Sequence, residues 1–182
     1  PTRRSSDLIA LHAQYGGVFP AMAKRAHAEK IVPLTKEALA QAGLLKEDTS
    51  TLGADSRDAI VSICTHENEM IEELVHFFNT YEKPELDYIA VTVGPGLEPA
   101  LWVGINMAKV LATVWNIPVI PVNHMEGHVI TAAIAETTDN EKKIYTFTDL
   151  DFPVLALLVS GGHTELVVTK SYGQYEKIGQ TR

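Results

Sequence analysis

The chain of 182 residues has room for one domain or for parts of two. Hydrophobic residues make up 46% and charged residues 21%, the balance of a globular protein rather than a disordered one. A formal net charge of −8 confines any nucleic-acid contact to a local basic patch or to a partner, and no apolar run approaches the ~20 residues that span a bilayer.

No secretory signal pattern is visible, and the single cysteine, Cys64, cannot form an internal disulfide. Both fit a reducing cytoplasm. Pro1-Thr2-Arg3-Arg4-Ser5-Ser6-Asp7-Leu8 fits neither a strand nor a helix running into Ile9. It reads as one frame of a common sequencing adapter, so residues 1–8 are set aside as an assembly scar, with a short basic arm as the alternative. There is no initiating Met, and Gly179-Gln180-Thr181-Arg182 has no terminating pattern. The chain is therefore expected to be a fragment.

Ala21 to Ala42 has apolar residues near helical spacing, with Pro33 expected to kink or split the helix and Gly43 to stop it. Lys46 to Arg57 is polar and loop-like. Glu67 to Tyr81 predicts a second helix, with Met70, Ile71, Leu74, Val75 and Phe78 on one face and Pro84 ending it. Leu86 to Val93 reads as a buried strand, Gly94-Pro95-Gly96 as a turn, and Pro99 to Trp115 as a helix with proline in its first turn. Pro118 to Val122 is a second strand and His124 to Ala135 a further helix. Strand, helix and strand in that order predict a parallel pair with a crossover helix.

Glu136 to Asp151 is polar and reads as a linker. Pro153 to Ser160, Gly161-Gly162, and His163 to Lys170 give strand, turn and strand, the clearest hairpin signal in the chain. Tyr175 to Gly179 is expected to begin a third strand. No repeat of solenoid period is present.

Asn123-His124-Met125-Glu126-Gly127-His128 places two histidines four residues apart. On a helix they share one face, so both imidazoles can reach a single ion. Imidazole suits zinc and iron alike, and the spacing chooses neither. A pair of ordinary surface histidines is the plain alternative, and two ligands do not complete a site. A metallopeptidase needs its glutamate directly after the first histidine. Glu126 instead lies two residues from each, roughly 200° around the helix and facing away from a shared ion.

Ser160-Gly161-Gly162-His163-Thr164 offers glycines that allow close backbone approach to a phosphate, with Ser160 and Thr164 as hydroxyl donors. A ligand-free hairpin turn explains the same glycines equally well. Gly94-Pro95-Gly96 is open in the same way, between an anion site at a helix N-terminus and a tight turn. Tyr15-Gly16-Gly17 alone is only a loop.

Taken together, four blocks in order resemble the universal tRNA N6-adenosine threonylcarbamoyltransferase family. They are His12-x-x-Tyr15-Gly16-Gly17-Val18-x-Pro20 with Arg25-x-His27; Gly94-Pro95-Gly96-Leu97 with Val103-Gly104; Asn123 to His128; and Phe152-Pro153 through Ser160-Gly161-Gly162-His163-Thr164. The last two blocks are the most specific. The resemblance implies an actin-like, two-lobed α/β fold. Residues 9–136 would be most of the first lobe, 137–151 a linker, and 152–182 the first strands of the second. It implies transfer of a threonylcarbamoyl group from threonylcarbamoyl-AMP to N6 of the adenosine beside the tRNA anticodon.

It further implies one divalent metal, iron(II) or alternatively zinc(II), on His124 and His128, with an Asp ligand from beyond Arg182. Substrate binding would fall to Leu158, Val159, Ser160, Gly161 and Gly162. The implied partners are tRNA, a TsaB-like paralogue and a TsaE-like ATPase. The family's usual Glu is replaced by Ala21, and its opening hairpin is missing before Ile9. Two rivals stand beside this reading. One is a metallopeptidase, the family's older annotation. The other is a non-catalytic scaffold paralogue, which would have no reason to keep both histidines.

Overall fold

The computed structural model describes residues 20–48, 51–139, 142–159 and 164–181. It is a mixed α/β chain forming two compact units, Pro1–Pro121 and Val122–Arg182.

In the first unit, helix α1 (Pro20–Gln41) buries Ala23, Ala28, Val32 and Leu39. Of the two outcomes expected at Pro33, a kink or a split, the split does not occur. Proline removes one N–H and leaves the carbonyl four residues back, on Glu29, without its helical donor. Burial of Val32 before the proline and Leu39 after it, in one core, carries the helix through. The stop falls at Gly43 as its sequence predicts. Its φ of 70° lets Gly43 N–H bond Ala40 O at 3.0 Å and Leu44 N–H bond Leu39 O at 2.9 Å, a Schellman end.

The polar stretch expected to be a loop contains the start of a helix, α2 (Ala54–Ile63). Asp55 in the first turn suits the helix dipole, and Ile60 and the following Cys64 are completely buried. The expected helix from Glu67 to Tyr81 begins instead as a 3₁₀ turn (Asn68–Met70) that leads into α3 (Ile71–Thr80). It ends at the extended Tyr81, before Pro84 is reached. Met70, Leu74, Val75, Phe77 and Phe78 are buried. Each large apolar side chain so placed contributes roughly 1.5–3 kcal/mol.

Strand β1 (Ile89–Gly94), helix α4 (Glu98–Trp115) and strand β2 (Val119–Asn123) follow. The strands are sheet neighbours. Ile89 N–H bonds Pro118 O at 2.9 Å, so the start of β1 meets the start of β2, as a parallel pair requires. Pro99 sits in the first turn of α4, and Asn116 closes the helix in the left-handed conformation at φ 52°. Val103, Met107, Val110, Leu111 and Trp115 join the core, where the Trp115 ring meets Phe78 edge-on at 5.7 Å.

In the second unit, helix α5 (His124–Thr131) is shorter than expected. The chain turns at Ala132–Ala133, and residues expected as the helix end and a linker form an antiparallel hairpin, β3 (Ile134–Asp139) with β4 (Lys142–Phe147). Antiparallel strands β5 (Val154–Val159), β6 (Thr164–Ser171) and β7 (Gln174–Thr181) make the last sheet. The ladder between β5 and β6 closes at Val159 and Thr164. The turn between β6 and β7 is Tyr172-Gly173, with Gly173 at φ 75°. No helix among the described residues is long and apolar enough to cross a membrane.

Candidate metal centre

The histidine pair is positioned by Asn123. Its side-chain oxygen caps α5, accepting from Met125 N–H at 2.8 Å and Glu126 N–H at 3.3 Å. The cap starts the helix at His124, so His124 and His128 fall on one face, one turn apart. Their Nε2 atoms lie 3.1 Å apart and their rings are 4.5 Å between centroids, steeply inclined to one another. Both side chains are exposed. Two imidazoles at ~2.0–2.1 Å from a tetrahedral ion stand roughly 3.3 Å apart, close to the separation of this pair, which without an ion is a hydrogen bond between the two rings. Among the described residues no set of three His, Cys, Asp or Glu gathers to complete one.

Glu126 points elsewhere, as helix geometry predicts. Its Oε1 accepts the backbone N–H of Gly173 at 2.5 Å. A carboxylate engaged there is not placed to activate water beside the histidines, as the base of a metallopeptidase would be.

Of the residues implied to hold substrate, Leu158 and Val159 end β5, Leu158 partly buried and Val159 exposed. Ser160, Gly161 and Gly162 lie outside the described residues, as do His12, Tyr15, Gly16, Gly17 and Val18. Arg25 and His27 lie on α1, where Arg25 Nε donates to Glu29 at 2.9 Å and His27 Nδ1 is 2.6 Å from Ala23 O. Gly94 has φ 149°, and a Cβ on Gly96 would come within 3.3 Å of the Leu101 side chain. The strand-to-helix turn therefore accounts for both glycines without a ligand.

The sequence reading missed two features. One is Tyr175, whose hydroxyl accepts a hydrogen bond from Asn123 Nδ2. The other, in the first unit, is a cavity of about 450 Å³ lined by Lys24, Ile63, His66, Glu67, Trp102 and Asn106 among others. Asn123 was recognisable as a helix-capping residue type. Tyr175 carries no local signal, being 52 residues from its partner.

The chain is of mixed α/β class and presents two histidines one turn apart at the start of a helix. The sequence model of the family TsaD, tRNA N6-adenosine threonylcarbamoyltransferase, matches residues 3–53 and 65–182, and the chain belongs to that family. The match passes over residues 54–64, which are α2 and Cys64.

Proposed function

We propose that this protein transfers a threonylcarbamoyl group from threonylcarbamoyl-AMP to N6 of the adenosine beside the anticodon in tRNA. The observation that carries the reading is the 3.1 Å convergence of His124 and His128 Nε2 inside a chain of this transferase family. The N6 nitrogen forms a bond to the carbamoyl carbon, the bond from that carbon to the adenylate phosphate oxygen breaks, AMP departs and N6 loses a proton. His124 and His128 would hold one divalent ion, iron(II) or zinc(II). Bound there, it would supply Lewis-acid polarisation of the carbamoyl carbonyl.

The chain's own part is to orient. Asn123 fixes the start of α5, and with it the direction of both imidazoles. Leu158 to Gly162 would hold the adenylate, with glycine backbone close to its phosphate. We take the fold to be actin-like with two lobes, and the protein to act in the cytoplasm. Its partners would be tRNA, a TsaB-like paralogue and a TsaE-like ATPase. Incubating the intact protein and these partners with tRNA and threonylcarbamoyl-AMP tests the reading. Nucleoside analysis should show the modified adenosine, and its absence under conditions where the partners are active would reject it.

A further inference from the structure

The signature around the histidines contains two polar side chains that the reaction does not use, Asn123 and Glu126, and both reach the same hairpin. Asn123 Nδ2 donates to the hydroxyl of Tyr175 at the start of β7. Glu126 accepts from the N–H of Gly173, in the turn between β6 and β7, at 2.5 Å. Helix α5 also packs against β5 of the same sheet. Helix α5 is thus tied to the β6–β7 hairpin at two points, through its N-cap and through the face opposite the histidines.

We infer that Glu126 and Tyr175 are positioning residues that fix the rotation of α5 about its own axis and so set the direction in which its two imidazoles together face one ion. This rests on the proposed metal role of His124 and His128. At ~100° per residue, Glu126 lies roughly 200° from each histidine. A bond on its side therefore constrains the opposite side without touching the ion. The geometry of the turn contributes. Gly173 at φ 75° adopts a conformation that other residues resist, and its N–H points outward to the carboxylate rather than into a ladder bond. The helix of eight residues buries only Val129 fully, so its packing alone does little to fix its rotation. Two outside anchors, 47 and 52 residues away in sequence, supply what it lacks.

The test uses the intact protein with cobalt(II) alone as the probe, and reads Co²⁺ affinity by absorption together with exchange of the Gly173 amide proton. Glu126→Ala should weaken Co²⁺ binding, by less than the ~10-fold that follows loss of a partner bonded directly to a ligand, and speed Gly173 exchange. Glu126→Gln, which keeps an acceptor oxygen, should restore both. Tyr175→Phe removes one hydroxyl with little risk to folding and should also weaken Co²⁺ binding. Wild-type affinity in both Glu126→Ala and Tyr175→Phe, or unchanged Gly173 exchange in Glu126→Ala, would overturn the positioning role. Were wild type and His124→Ala to bind Co²⁺ equally, the metal reading itself would fall and the positioning role with it.

Discussion

Lys24 reaches from α1 to the almost wholly buried carboxylate of Glu67, with Nζ 2.9 Å from Oε1. The other oxygen, Oε2, accepts from Asn106 Nδ2 on α4 at 2.8 Å, and Lys24 also donates to His66 O at 2.7 Å. A buried carboxylate needs such partners, because losing one leaves a charge without solvent or counterion. Lys24→Met should therefore destabilise the first unit. The loss should fall below the ~3–5 kcal/mol typical of a fully buried broken pair, since the Lys24 side chain is 27% exposed. Urea unfolding measures it. The double variant Lys24→Met/Glu67→Leu should recover much of the loss, because the stranded charge is gone.

Cys64 is expected to be chemically silent. Burial, and secondarily the charge on Glu67, push its thiol up to about 11. The thiolate is the reactive form, so the native protein at pH 8 should resist thiol reagents and react fully only when unfolded. The sign for stability follows. The fold favours the protonated thiol, so its contribution is intact below the ordinary value of 9.0 and is lost as pH rises from there towards about 11. Rapid labelling of native protein at pH 8 would contradict this burial.

Gly127 lies between the histidines in α5, and a Cβ added there would meet nothing within 4 Å. Its φ is not in the left-handed region. Gly127→Ala should thus stabilise the helix by up to about 1 kcal/mol and leave metal affinity intact. Thermal unfolding and metal titration check the two halves separately.

The parts of the fold legible in sequence were those where one short-range rule dominates. Gly43 ends a helix, Pro99 stands in the first turn of one, and Leu74, Val75 and Phe78 declared a buried face. The missed helix α2 shows the opposite case. Asp55, Ser56 and Arg57 look loop-like, and the helix forms because Ile60 and Cys64 reach a core assembled from distant residues. Helix α5 was expected to run to Ala135, and Ala132, Ala133 and Ala135 do favour helix. Pairing of Ile134 with Phe147 and Glu136 with Tyr145 overrides that preference. Within the candidate site, the histidine spacing and the outward-facing Glu126 were readable from helix periodicity. What Glu126 faces was not, because Gly173 enters only through tertiary structure.

The histidines should be needed for both metal retention and group transfer, since removal of one ligand from so small a set leaves too little to offset the cost of dehydrating the ion. The most direct test measures metal per protein by elemental analysis, and threonylcarbamoyl transfer to tRNA, in wild type, His124→Ala and His128→Ala of the intact protein. We expect close to one ion per wild-type chain, with metal content and transfer both lost in each variant. Full metal occupancy and undiminished transfer in His124→Ala would contradict the account.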